Sequence, residues 1–252
     1  MRLSFSTRGW GNVPWDELVK TASDMGFEGV EAYDVLANEK FSGKGGPFDP
    51  YNLRATARDL RGKGLQMPML DTSIDISVPS DAAQSVKQLI DVAAQMGIEY
   101  ACVKGQHGTE DAMRGAIDEV LPYAEERGVV LLIETSGIYG DTARLTELMD
   151  GYASDYLAAL WDVHHPYRDA GEDPSATIKN LGAYVKHVHM RDSDDDGSYN
   201  LVGEGTLPID DVVRALASID YDGFVSLEWK PEWMSDLTDM DKIGRASCRE
   251  RV

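Results

Sequence analysis

Four apolar runs in this chain each end on a side chain able to bind a metal or move a proton. Val129-Val-Leu-Leu-Ile133 ends at Glu134 and Tyr156-Leu-Ala-Ala-Leu-Trp161 at Asp162, with His164 and His165 following before Pro166. Tyr184-Val-Lys-His-Val188 ends at His189, and Phe224-Val-Ser-Leu227 at Glu228. Three carboxylates and one imidazole brought together repel one another unless protons or a cation compensate. Such an oxygen-rich set with one nitrogen suits a divalent metal that keeps positions open for a substrate: Mn2+ first, with Mg2+, Co2+ or Zn2+ as alternatives. The plainer reading of any one of them is a polar residue closing a strand. Four on consecutive strands favour the metal.

Other residues are placed to support that centre. His165 is a candidate to contact substrate, while His164 is expected to be structural or exposed. His187 lies two residues before His189, hence on the same strand face, and is a candidate to hydrogen-bond a ligand from behind. Glu31, at the end of the second apolar run, and His107, beyond the fourth, are expected at the same mouth. Either would hold a substrate hydroxyl, or for His107 a second metal. Lys104 and Arg191 are the cations placed to hold a substrate phosphate or carboxylate. The acidic run from Asp194 to Asp196 reads as solvated loop.

The elements that must position these residues alternate along the chain. Strands are expected at 2–6, 27–33, 65–70, 98–103, 129–134, 156–162, 184–189 and 223–228. Between them fall helices at 14–25, 51–62, 81–96, 110–127, 141–149, 174–181 and 209–219, several stopped by Gly. Residues 38–50, rich in Gly and Pro, and the polar stretch 191–200 read as loops. Eight strands each followed by a helix, or the start of one, fit a (β/α)8 TIM barrel, whose strand ends converge on one mouth. A doubly wound sheet is less economical, because no Gly-rich dinucleotide turn follows the first strand.

Composition bounds the rest. At 252 residues and 42% hydrophobic content the chain suits one large α/β domain. A formal net charge of −20 disfavours a nucleic-acid partner, which needs clustered Lys and Arg. No apolar run reaches membrane-span length and no signal peptide is evident, so a cytoplasmic protein without a membrane partner is expected. The last ten residues, Ile243 to Val252, turn abruptly basic and read as the translation of a short-read sequencing adapter. They are expected to be a non-native tail, leaving 1–242 as the domain, with the eighth helix cut short after Asp241 and Cys102 as its lone cysteine.

Together these residues resemble the sugar phosphate isomerase/epimerase family, the xylose-isomerase-like barrels. The resemblance rests on Ile-Glu134, Trp-Asp162-Val-His-His165, His187-Val-His189-Met-Arg-Asp192, Gly203-Glu-Gly205 and Tyr221-Asp-Gly-Phe-Val-Ser-Leu-Glu228, and it spans most of the chain. It implies that Glu134, Asp162, His189 and Glu228 bind one divalent metal and that His165 contacts substrate. The implied chemistry is proton abstraction beside a carbonyl through an enediolate, with Glu134 and Glu228 exchanging the proton. A carbohydrate substrate is then expected, with homo-oligomerisation possible. Three alternatives stand beside this: a metal-dependent dehydratase of a keto-polyol, an endonuclease IV-like phosphodiesterase, and a sugar-binding barrel without catalysis. The acidic surface and the third strand ending in Leu70-Asp71 rather than His weigh against the phosphodiesterase.

Overall fold

A strand covered by helices outside and by a packed lumen inside must be buried along its length, and Leu157–Asp162 is buried at every position. In the computed structural model, which describes residues 1–78 and 81–233, that strand is one of eight forming a closed parallel barrel. They are β1 (Arg2–Ser6), β2 (Gly29–Tyr33), β3 (Met69–Asp71), β4 (Tyr100–Val103), β5 (Val130–Glu134), β6 (Leu157–Asp162), β7 (Val185–Met190) and β8 (Phe224–Leu227). Each pairs with its neighbours in sequence. The seam closes where Arg2 to Phe5 of β1 run beside Phe224 to Leu227 of β8. This is the expected (β/α)8 barrel.

Helices Trp15–Asp24, Leu53–Gly62, Ala82–Met96, Glu110–Arg127, Thr142–Tyr152, Pro174–Leu181 and Ile209–Ser218 cover the outside. Their ends follow local chemistry. Thr109 and Asp173 accept backbone N–H groups at the starts of two helices. Gly97 ends the helix Ala82–Met96 and Gly128 the helix Glu110–Arg127, with φ of 73° and 69°, where a side chain would strain the turn. No helix among the described residues is long and apolar enough to cross a membrane. The expected remnant of an eighth helix and the basic tail lie outside the described residues.

Local departures from expectation have physical causes. The third strand is expected over 65–70 but occupies only Met69–Asp71, since Pro68 has no N–H for the ladder. Pro166 does not turn the chain. It sits in the first turn of a short helix, His164–Asp169, where a missing N–H costs nothing. The loop after β2 contains the short helix Glu39–Ser42, capped by Asn38. The polar stretch after β7 folds into a hairpin of Asp192–Ser193 with Tyr199–Asn200. Asp192 anchors both this hairpin and the turn beyond it by accepting the backbone N–H groups of Ser193, Gly203, Gly205 and Leu207 at 2.8–3.1 Å. Gly205 is required there, because a Cβ would lie 2.4 Å from Asp192 Oδ1.

Strand alternation divides the lumen into two unlike halves. On β3 to β6 the inward side chains Met69, Cys102, Leu132, Ala158 and Leu160 form an apolar cluster separate from the core beneath the helices. On β8, β1 and β7 the corresponding positions are polar and hydrogen-bonded, to one another and to Glu31 of the next layer, while β2 has Gly29 beside Ser4. Ser4 and Ser226 hydroxyls lie 2.5 Å apart, and His187 Nε2 is 2.8 Å from Ser226 Oγ and 2.9 Å from Glu31 Oε2. Ser6 donates to Glu31 Oε1 at 2.8 Å, and His189 Nε2 lies 3.0 Å from Glu31 Oε2.

Because Glu31 satisfies three buried donors, Glu31→Ala is expected to lower the free energy of unfolding by about 3 kcal/mol or more. Urea denaturation followed by tryptophan fluorescence measures this. Asp192→Asn turns an amide N–H toward backbone donors and is expected to cost about 2 kcal/mol in the same assay.

Candidate active site

Two residues beyond that lumen layer, every strand contributes one more buried polar side chain, as the two-residue period of a strand dictates. Around the barrel these are Ser6, Glu31, Asp71, Lys104, Glu134, Asp162, His189 and Glu228, all at most 2% exposed. They stand at or just past the carboxyl ends of the strands. Register aligns some of them directly: Asp162 of β6 is the partner of His189 on β7, and Glu228 donates its N–H to Met190 O at 3.0 Å.

The ring is wired by ion pairs. Lys104 is bonded to Glu134 Oε2 and lies 3.5 Å from Asp71 Oδ1. Arg191 reaches Glu228 Oε2 at 3.0 Å and Asp162 Oδ2 at 2.6 Å. Arg8, from the loop after β1, meets the other oxygen of Glu228 at 2.5 Å. Burial disfavours the charge on Glu134, yet Lys104 and His189 outweigh it and hold the carboxyl down near 2. Glu228 is likewise held low against burial by Arg8, His189 and Arg191. Asp71 behaves oppositely: burial outweighs Lys104 and pushes it up to about 6. At His189 burial opposes protonation, but Glu31 and Glu228 prevail and raise it to about 10.

Those last two shifts describe a ring short of positive charge. Five carboxylates (Glu31, Asp71, Glu134, Asp162, Glu228) face three fixed cations (Lys104, Arg8, Arg191), an excess of two negative charges. One divalent cation matches it. The donor atoms fit as well. Asp71 Oδ2, Asp162 Oδ2 and His189 Nδ1 are buried and accept no well-directed hydrogen bond, the Arg191 contact to Asp162 being an ion pair only. If His189 donates its Nε2 proton to Glu31, the lone pair on Nδ1 faces Glu228 Oε1 at 3.4 Å, a repulsive contact unless a proton or cation lies between. Donor atoms of Asp162, His189 and Glu228 lie within 4.8 Å of one another, as do those of Glu134, Asp162 and His165, and of Asp71, Glu134 and His189. Glu134, Asp162, His189 and Glu228 thus gather in overlapping triplets that also take in Asp71 and His165.

The remaining candidates separate by position. His165 stands at the edge of the cluster, its side chain 22% exposed and its Nδ1 2.6 Å from Asp169. His187 lies beneath the ring and Glu31 within it, with both oxygens of Glu31 engaged by protein groups. Lys104 is taken up by Asp71 and Glu134, and Arg191 by Asp162 and Glu228. His107 stands apart, its side chain 77% exposed and bonded to Asp75. His164 is buried and stacks on Tyr199, 5.2 Å between centroids. Asp71 and Arg8 escaped the sequence reading. Asp71 ends a strand of three residues, too short to display an alternation, and nothing periodic marks Arg8. An aromatic wall also went unforeseen: Tyr199 and Trp233 stack at 4.2 Å, with the Arg191 guanidinium 5.3 Å from the Trp233 centroid.

Comparison with known proteins agrees with this architecture. The chain is 21% identical to fructoselysine 3-epimerase of Shigella flexneri over 264 residues, covering 94% of this chain and 92% of that protein. Among solved structures it is similar to a probable 3-DHS dehydratase from Bacillus anthracis, with TM-score 0.80 and 19% identity over 98% of this chain and 97% of that one. It is also similar to a D-psicose 3-epimerase from Clostridium cellulolyticum H10, with TM-score 0.79 and 15% identity over 98% and 96% of the two chains. Residues 19–246 match the model of the family described as xylose isomerase-like TIM barrel, nearly the whole of the chain. The chain belongs to the xylose isomerase-like TIM barrel family.

Proposed function

We propose that this protein is a divalent-metal-dependent epimerase or isomerase of a ketose, moving a proton at the carbon beside the carbonyl. Glu134, Asp162, His189 and Glu228 would hold the cation, with Mn2+ the first choice among Mn2+, Mg2+, Co2+ and Zn2+. The observation that carries the reading is that Asp162 Oδ2 and His189 Nδ1 are buried without a well-directed hydrogen bond, the former beside Arg191 only, in a ring with two surplus negative charges. When bound, a divalent cation supplies Lewis acidity that makes the hydrogen beside a carbonyl more acidic.

The chain's own groups do the remaining work. Glu134 and Glu228 come from β5 and from the end of β8, so they approach a substrate over the mouth from different sides. One takes the proton and the other returns it, to the opposite face for epimerisation or to the neighbouring carbon for isomerisation. Lys104 is bonded to Glu134 Oε2 and orients that carboxylate. Arg8 and Arg191 hold Glu228 from either side and orient it. Glu31 is a positioning residue that fixes the imidazole of His189, with His187 beside it. His165, at the edge of the cluster, contacts the substrate. The sugar epimerases among the similar proteins support this chemistry. The likeness to a probable dehydratase favours a second reading, in which the same proton abstraction is followed by loss of a hydroxyl.

Incubation in deuterated water with Mn2+ and a panel of ketoses, ketose phosphates and inososes tests the proposal by mass spectrometry. Exchange at one carbon is expected, and Glu134→Gln and Glu228→Gln are each expected to slow it by at least about 100-fold. If both variants exchange at the parent rate with metal bound, the assignment fails. Separately, equilibrium dialysis is expected to find one Mn2+ per chain, with binding weakened by at least about tenfold in Asp162→Asn. No saturable Mn2+ binding would remove the metal from the proposal.

A further inference from the structure

Lys230, two residues past Glu228 and partly buried, makes no ion pair among the described residues. Its Nζ lies 5.3 Å from the centroid of Trp233. The Arg191 guanidinium lies the same distance from that ring, so the two cations flank one indole. Arg191 and Arg8 are in turn joined through the two oxygens of Glu228. Three positive side chains, from the ends of β1, β7 and β8, therefore stand at one side of the opening.

The two guanidinium groups are buried, Arg8 at 9% and Arg191 at 4% exposed, and neither is saturated. Arg8 Nε and Arg191 Nε make no hydrogen bond among the described residues, whereas Arg191 Nη2 is taken up by Asp162 Oδ2 at 2.6 Å. Buried donors in a native site are nearly always satisfied, so the two Nε groups point to an acceptor that the chain itself does not provide. Charge gives its sign and size. With one divalent cation in place, as proposed above, the ring of five carboxylates and three fixed cations is neutral, and Lys230 then leaves a single positive charge.

We propose that the substrate is an acidic sugar, a hydroxyketone carrying one carboxylate, with that carboxylate seated against Lys230 and the free donors of Arg8 and Arg191. A singly charged, planar carboxylate matches both the surplus of one charge and the guanidinium donors. A phosphate monoester, near two negative charges, overshoots it. A neutral ketose leaves Lys230 unpaired and the guanidinium donors with only hydroxyl oxygens. The inference rests on the metal-dependent reading for its charge balance, while its test is a binding measurement.

Three ligands that differ only at the sixth carbon make the comparison: D-fructose, D-fructuronate and D-fructose 6-phosphate, each titrated calorimetrically into Mn2+-loaded protein. D-fructuronate is expected to bind at least about tenfold more tightly than D-fructose, the usual scale for a hydrogen-bonded charge pair. Lys230→Met is expected to abolish most of that preference and Lys230→Arg to retain it, with thermal unfolding confirming that both variants fold. Equal affinities for D-fructose and D-fructuronate, absence of binding by all three, tighter binding of the phosphate than of the uronate, or a preference that survives Lys230→Met would each overturn the inference. Deuterium exchange followed in the same samples keeps the two proposals apart. Exchange into D-fructose without a charge preference overturns this inference alone. A charge preference without exchange into any ligand supports this inference and counts against the proton-transfer reading.

Discussion

Burying several carboxylates side by side is the constraint on which the rest of this barrel depends. Each loses its hydration on folding, at a cost of several kcal/mol that only close partners offset. Accordingly each has one: imidazoles for Glu31, Lys104 for Asp71 and Glu134, and guanidinium groups for Asp162 and Glu228. These partners arrive from distant parts of the chain. Arg8 follows the first strand and Glu228 the last, so their pair spans the seam at which the barrel closes. The Arg8–Glu228 pair therefore forms only when the first and last strands lie side by side.

The hairpin after β7 shows how backbone geometry serves that balance. Arg191 lies between His189, a member of the ring, and Asp192, whose carboxylate gathers four backbone N–H groups. Asp192 thereby fixes the chain direction just beyond Arg191, and the stacked rings of Tyr199 and Trp233 lie against the guanidinium. A side chain with many rotamers is thereby held in one place by its neighbours. The spacing of His189, Arg191 and Asp192 is the sequence expression of this arrangement.

Periodicity decides which parts of the site a sequence discloses and which it hides. Glu134, Asp162, His189 and Glu228 stand out because each ends an apolar run long enough to recognise. Lys104 and Glu31 could be placed near the mouth, yet not in their actual pairings, since pairing depends on which strands become neighbours and at what register. Asp71 was hidden because Pro68 shortens its strand to three residues and blurs the alternation. Arg8 lies in a loop, where no period operates, and only the closed barrel brings it to Glu228. His107 was misplaced for a related reason: it follows the right strand, but several residues of loop separate it from the strand end and it turns to Asp75. The eight-strand architecture itself was readable throughout, because helix and strand periods alternate cleanly and glycine marks several of the boundaries.

The two halves of the lumen differ in how freely they can change over generations. Met69, Cys102, Leu132, Ala158 and Leu160 touch one another through apolar surface alone. Swaps that conserve volume there are tolerated. The opposite half, Ser4, Ser226, His187 and Glu31, is joined by directional bonds in which replacing one member strands the others. Substitution is therefore cheaper on the β3 to β6 side than on the other, where a change at one position leaves its partners without theirs.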